Sequence, residues 1–474
     1  MNSTRRLWLT LGGLFVLSFG ALLFIGSEIY REMPPIPERV VDQSGNLIYT
    51  KAQIQTGRQV WQARAGVISE VHDHYSALFG DTAEFESLRE QYAIANDAIP
   101  SKQHRELMPA FFFWTAWATT TQRPGSDITF TNNWPHEPLV GNSPTTGTLM
   151  WSIASVILLL GALGGMCWYY VSTLHEGETV TAPKNDPLLD GVATPSQQAT
   201  EKYFYTVVAL FLAQIFLGTV TAHYAVEGQE FYGFPLAEYL PYAVTRTWHT
   251  QLGIFWIATA WLATGLYIAP AVSGHEPRFQ KLGVNLLFVA LLIVVVGSLG
   301  GEWLGVQQFF DLDTNFWVGH QGWEYVDLGR VWQILLFTGL MIWLTLVGRA
   351  LWPSLIKPSE NRGLVMMLFL SAVAIGLFYA AGLTWGKHTH LSMVTYWRWW
   401  VVHLWVEGFF EVFATAVIAL LFSRMGLVRS KLAADAVLFA TIIFLFGGIL
   451  GTLHHLYFAG TPTSVIAVGS MFSA

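Results

Sequence analysis

The sequence predicts an all-α, polytopic membrane protein, and three observations carry that reading. Of its 474 residues, 53% are hydrophobic and only 12% are charged, against roughly 25% charged in a typical soluble domain, so a water-solvated surface of normal size cannot be built. Apolar runs long enough to cross ~30 Å of hydrocarbon as helices recur along the chain. The single cysteine, Cys167, excludes an internal disulfide, a cysteine zinc site and a Cys-x-x-Cys-His haem attachment. Metal chemistry therefore has to use His and carboxylates.

The runs lie near 7–26, 148–172, 203–222, 245–271, 282–300, 329–351, 362–385, 395–423 and 432–453, and a tenth begins after Pro462. The first follows Arg5 and Arg6 and continues into Glu28, Tyr30 and Arg31 without a small-residue cleavage motif. Residues 1–26 therefore read as a retained transmembrane anchor. With the N-terminus cytoplasmic, the inner loops hold Arg278 and Lys281, Lys357 and Arg362, and Arg424, Arg429 and Lys431, whereas the outer loop 302–328 holds no Lys or Arg, as the positive-inside bias requires. That orientation makes residues 27–147 a small extracytoplasmic domain rich in turn signals, and residues 148–474 a transmembrane bundle interrupted by the polar linker 173–202. The formal charge of −7 with 25 Lys+Arg leaves no basic face for nucleic acid. The expected partner is the lipid bilayer.

An ionisable residue at mid-bilayer costs about 3 kcal/mol on insertion scales, so the spans are where function should show. In Trp400-Val401-Val402-His403-Leu404-Trp405-Val406-Glu407-Gly408-Phe409-Phe410-Glu411, residues His403, Glu407 and Glu411 recur every four positions and share one helix face. They point jointly into a polar or metal-filled interior, or else form a buried hydrogen-bonded group that only fixes packing. His454 and His455 end the ninth run, and adjacent residues on a straight helix diverge by about 100°. Both rings reach one ion only if it sits between them or the helix end loosens, which Gly460 and Pro462 make reasonable. The bland reading is an interfacial pair. Three imidazoles with a carboxylate suit iron, though softness alone does not select the metal. His249, at the outer end of the fourth span, matches their depth, but a lone His at a helix end is commonly structural. His388 and His390 read as solvated or supporting groups, and His72, His74, His104 and His136 carry no ligand spacing.

Residues 200–474 resemble the catalytic subunit of the nitric oxide reductases in the haem-copper oxidase superfamily, specifically the single-chain, quinol-dependent type. The resemblance rests on Thr247-Trp248-His249-Thr250-Gln251-Leu252, Gly301-Glu302-Trp303-Leu304-Gly305, Trp400 to Gly408, and Gly451-Thr452-Leu453-His454-His455. Oxygen-reducing relatives carry a tyrosine four residues after the metal-binding histidine, where this chain has Glu407. The resemblance implies a haem-copper oxidase-like bundle in a bacterial inner membrane. In it, His403, His454 and His455 would bind a non-haem iron with Glu407 as oxygen ligand, and His249 would be an axial ligand of a low-spin haem b. Glu302 would lie near the haem propionates and a calcium, and Glu411 would orient the site or supply protons to it. His223, Glu227 and Phe231 match the positions that hold the quinol head group, sharing one side if their helix continues. The implied reaction is reduction of two NO to N2O in denitrifying electron transport, with a homodimer left open. The segment containing Asn132-Asn133-Trp134-Pro135-His136 is similar to the family's fused extracytoplasmic domain, and the missing Cys-x-x-Cys-His agrees with electrons arriving from quinol.

Two departures accompany the match. The family's His-x-His pair, which serves the high-spin haem b3 and completes the low-spin pair, falls in spans that would follow Ala474, so the expectation is a fragment, or a sequence whose remainder is not included. The outer domain also lacks Gly- and Trp-containing sequence between Gly66 and Val67. The rival readings are a noncatalytic haem- or quinol-binding membrane subunit and a terminal oxygen reductase, which Glu407 disfavours.

Overall fold

A computed structural model describes residues 3–63, 101–173, 191–456 and 459–472, with single positions at 91, 93, 94, 99 and 184; His72, His74, Gly66 and Val67 lie outside them. Among the described residues nine helices are long and apolar enough to cross a membrane, and each coincides with one of the expected runs. The principal helices are α1 (Ser3–Glu32), α2 (Lys51–Ala63), α3 (Lys102–Thr120), α4 (Thr146–Thr173), α5 (Glu201–Val226), α6 (Tyr242–Ser273), α7 (Gln280–Val306) and α8 (Arg330–Ile356). They are followed by α9 (Arg362–Phe378), α10 (Leu391–Arg424), α11 (Ser430–Leu456) and α12 (Thr463–Met471). Helix α1 runs six residues beyond the expected anchor boundary, with Arg31 pairing with Glu28 and Glu32 in its last turn. The tenth run is the nine-residue α12.

Indole groups tie the bundle together. Trp343 donates to the Leu262 carbonyl at 3.1 Å, and Trp405 to the Ile375 carbonyl at 2.7 Å, which satisfies polar groups that hydrocarbon cannot. Gly265 gives Trp343 its room, since a Cβ there would come within 2.8 Å of the ring.

Between α1 and α4, in the region expected to form a small domain, the chain includes a β-hairpin that the helical reading did not anticipate. Strands β1 (Arg39–Val41) and β2 (Leu47–Thr50) pair antiparallel. Asp42 closes their turn by accepting the Ser44 and Asn46 amides, both at 2.8 Å, with Gly45 at φ +84°. Helices α2 and α3 pack through Ile54, Phe111 and Trp114. The Asn-Asn-Trp-Pro segment then reaches the bundle: Asn132 donates to the Thr461 carbonyl at 3.1 Å and accepts from the Thr463 hydroxyl at 3.0 Å. It thereby pins the loop that follows His455.

Candidate functional site

Two helices lose their regular winding where the candidate ligands lie. From Trp400 to Phe409, helix α10 takes π geometry, and α11 does the same from Phe444 to Gly448 before tightening into a 3₁₀ turn over Thr452–Leu456. Such stretches recur at functional sites because they re-aim side chains that a straight helix would splay. The two π segments lean on each other through glycine: a Cβ on Gly408 would come within 2.2 Å of the Phe444 ring. The expected loosening at the His454–His455 end is thus a wide π turn followed by a tight 3₁₀ turn.

Ligand atoms of His403, Glu407 and His455 all lie within 4.8 Å of one another. His403 Nε2 is 2.9 Å from the Gly448 carbonyl, and its Nδ1 is 2.6 Å from Glu407 Oε2. A carbonyl only accepts, so Nε2 must carry the proton, and in a neutral ring Nδ1 then presents a lone pair to a carboxylate oxygen. Two acceptors that close need a cation between them, either a proton or a metal. On the open side of the cluster, His455 Nε2 is buried without a hydrogen-bond partner. Its ring is stacked on Trp399, with centroids 3.6 Å apart and planes 4° from parallel. This donor set of imidazole and carboxylate fits a divalent cation of iron type.

His454 stands beside the trio, its ring centroid 4.0 Å from that of His455 and 5.7 Å from that of His403. It lies outside the convergent set. A Cβ on Gly469 would approach the His454 backbone nitrogen to 2.4 Å, so α12 packs flush behind the His pair. Glu411 is one turn beyond Glu407 and exposed, also outside the cluster.

His249 directs Nδ1 at the Gln214 carbonyl, 2.8 Å away, which leaves Nε2 as the acceptor nitrogen, the tautomer an axial ligand uses. The ring lies over Gly218, where a Cβ would come within 2.6 Å of it. Glu302 is 3% exposed, with Oε1 unpartnered. Asp327, equally enclosed, accepts from Gln251 Nε2 at 2.9 Å. Burial pushes the Asp327 carboxyl up to about 7, against the pull of Gln251, Arg398 and Arg246. Nearby, Arg246 pairs with Glu324 at 2.7 Å, and Arg398 Nε donates to the Glu324 carbonyl at 2.8 Å.

His223 and Glu227 meet at 3.1 Å, and Phe231 stacks on the His223 ring with centroids 3.9 Å apart. The three come together even though the helix does not continue, which the spacing argument had required. Helix α5 ends at Val226, Gly228 turns the chain at φ +79°, and a 3₁₀ turn over Gln229–Tyr232 folds Phe231 back. His388 is exposed as expected, but His390 is not a solvated group. Its Nε2 donates to the Pro34 carbonyl at 2.9 Å and its Nδ1 accepts the Ser392 amide at 3.2 Å, so it caps α10.

Sequence reasoning passed over Trp399, Arg398 and Asp327. Trp399 lies four residues before His403, so the spacing that selected Glu407 would have selected it too.

The architecture is that of a helical membrane bundle of the haem-copper oxidase class, here with an imidazole–carboxylate cluster between distorted helices. The family model for cytochrome c and quinol oxidase polypeptide I matches residues 198–474, more than half of the chain, and the chain belongs to that family. Residues 62–136 match the cytochrome c-like domain of a nitric oxide reductase subunit. The chain is also similar to a nitric oxide reductase subunit of Stutzerimonas stutzeri, at 28% identity over 280 residues, covering 59% of this chain and 56% of that relative. The match thus spans about half the length of the relative.

Proposed function

We propose that the chain is the catalytic part of a respiratory nitric oxide reductase that converts two NO, two electrons and two protons to N2O and water, with quinol as donor. The observation that carries the reading is Glu407 facing His403 Nδ1 at 2.6 Å, at the position where oxygen-reducing relatives carry a tyrosine. His403, His455 and Glu407 would hold a non-haem iron, with His454 beside them as a further candidate ligand. His249 serves a low-spin haem b. Glu302, with Asp327 beside it, holds a calcium, a hard cation that wants oxygen ligands. A haem and a non-haem iron bound in this bundle would supply the metal positions and electrons for reducing NO.

The chain's own residues do the rest. The Gly448 carbonyl fixes the His403 tautomer, and Trp399 holds the His455 ring in plane. Glu407 balances the metal charge, and Glu411, one turn away and exposed, hands protons toward it. Residues 27–147 form the extracytoplasmic domain, and the anchor 1–26 and bundle 148–474 lie in a bacterial inner membrane with the N-terminus inside. His223, Glu227 and Phe231 receive the quinol: two groups that accept its protons beside an aromatic wall.

NO consumption by membranes containing the protein, driven first by a quinol and then by reduced cytochrome c, tests the reading. Iron content is measured on the same preparation. Quinol-driven turnover with iron present supports it, and oxygen reduction without NO consumption rejects it.

A further inference from the structure

We propose that the groove between the start of α8, the short helix Leu312–Val318 and the loop 383–389 binds the headgroup of an anionic phospholipid. The groove encloses about 750 Å³, and Phe316, Trp317, Arg330, Ile334, Trp385 and Lys387 form its walls.

Arg330 is the reason it needs an anion. Its side chain is 6% exposed, and no described carboxylate pairs with it. One terminal nitrogen donates to the Gly382 carbonyl at 2.8 Å and the other to the Trp385 carbonyl. The guanidinium sits 5.4 Å from the Phe316 ring centroid and 5.7 Å from that of Trp385. Dipoles and aromatic faces lower the cost of enclosing that charge but do not cancel it, and an arginine cannot shed its proton. Of its five N–H donors two are committed to carbonyls, so donors remain for a phosphodiester oxygen.

The walls select a lipid rather than free phosphate. Arg330 is the first residue of a candidate span, the end of a span being where headgroups lie. Ile334, one turn further into the bilayer on the same face, is 43% exposed, and Trp317 at the rim is 50% exposed. An acyl chain follows Ile334 while the indole lies at the interface, as interfacial tryptophans do. The Lys387 ammonium supplies a second charge, since its pairing with Asp313 involves a carboxylate side chain that is 73% exposed and well solvated.

The site is also built in advance. Arg58 of α2 donates to the Thr389 carbonyl at 2.6 Å and to the Lys387 carbonyl at 2.5 Å. Two guanidiniums from different parts of the chain therefore hold the loop in shape before any lipid arrives, which removes an ordering cost from binding.

The test is native mass spectrometry of the purified full chain, delipidated and then titrated with phosphatidylglycerol or with phosphatidylcholine of the same acyl chains. The first equivalent of phosphatidylglycerol should be held about fivefold more tightly than phosphatidylcholine. Arg330→Gln and Lys387→Gln should each erase most of that preference with helical content unchanged. Ile334→Asp should weaken both lipids. Equal retention of the two lipids overturns the proposal, as does a preference that survives both charge substitutions. Displacement of the lipid by millimolar inorganic phosphate would make this a free-anion site and overturn it too. Should Arg330→Gln fail to fold, Lys387→Gln and Ile334→Asp decide between the same outcomes.

Discussion

The imidazole of His455 lies flat against the indole of Trp399, their centroids 3.6 Å apart, so a residue on α10 sets the orientation of a candidate ligand on α11. His403 is held from the opposite direction, by the Gly448 carbonyl of α11. Each helix thus positions the other's histidine, and the pair of distorted helices works as one clamp.

Removing either half of the clamp should release the metal without unfolding the bundle. His403→Ala and His455→Ala each take away one ligand and touch no span-length apolar face, so non-haem iron bound per chain should fall to near zero while haem iron is retained and the protein remains in the membrane. Trp399→Ala keeps every ligand but frees the His455 ring, and affinity should drop about 10–100-fold, the usual effect of losing a supporting contact. Metal analysis of the three variants checks this, and unchanged iron in the histidine variants would remove the assignment.

Glu407→Gln keeps volume and one carbonyl oxygen but loses the charge that faces His403 Nδ1. We expect NO turnover to fall by at least about tenfold, more than 1.4 kcal/mol in the barrier, with helical content intact. Turnover within about twofold of the parent would make Glu407 a packing residue.

The low-spin haem position can be probed from the far side of the ring. Gly218→Ala places a methyl 2.6 Å from the His249 imidazole, closer than real contacts allow, and the ring is tethered to the Gln214 carbonyl. It has to rotate out of its present plane. The visible bands of a low-spin haem b should shift or lose intensity, while iron at the His403 cluster stays constant. An unaltered spectrum would detach His249 from the haem.

Much of this was legible in the sequence, and the reasons differ by residue. The nine spans follow from apolar run length alone, and His403 with Glu407 follows from spacing. What spacing could not convey was winding. Straight-helix geometry puts Glu411 beside Glu407 and treats His454 and His455 alike, whereas the π stretch and the 3₁₀ turn bring His455 into the cluster and leave His454 and Glu411 outside it. The β1–β2 hairpin escaped notice because its strands are three and four residues long, too short for a period to register. His390 was misread because its partners, Pro34 and Ser392, are set by tertiary contact and a cap.

His390 gives a pH prediction. Burial, with the Arg58 charge adding to it against the Pro34 hydrogen bond, lowers its titration from 6.5 to about 4. The unfolded chain therefore takes up a proton where the folded one does not. The stabilisation is complete above pH 6.5 and disappears as pH falls toward 4, a loss of about 2 kcal/mol by pH 5. His390→Asn retains a capping acceptor but cannot titrate, so its thermal stability should be lower at pH 7.5 and much flatter between pH 6.5 and 5 than that of the parent. Parallel pH profiles would show that His390 titrates normally.

The last prediction concerns electron entry. His223 Nδ1 and Glu227 Oε2 are 3.1 Å apart, and Phe231 covers the imidazole face. A quinol gives up two protons with its two electrons, so a site for it should combine proton acceptors with a flat apolar wall at the membrane boundary. These residues are partly open to their surroundings, with side-chain exposures of 35% for His223 and 44% for Glu227, so a ligand arriving from the bilayer can reach them. The competing account is that His223 and Glu227 only close the end of α5. His223→Ala and Phe231→Ala in the full-length protein separate the two. Both should slow quinol-driven NO reduction and raise the quinol KM, while turnover with an artificial reductant that bypasses the pocket stays within about twofold of the parent. Equal loss with both donors would place His223 in the fold. Full retention with both would leave it as the end of a helix.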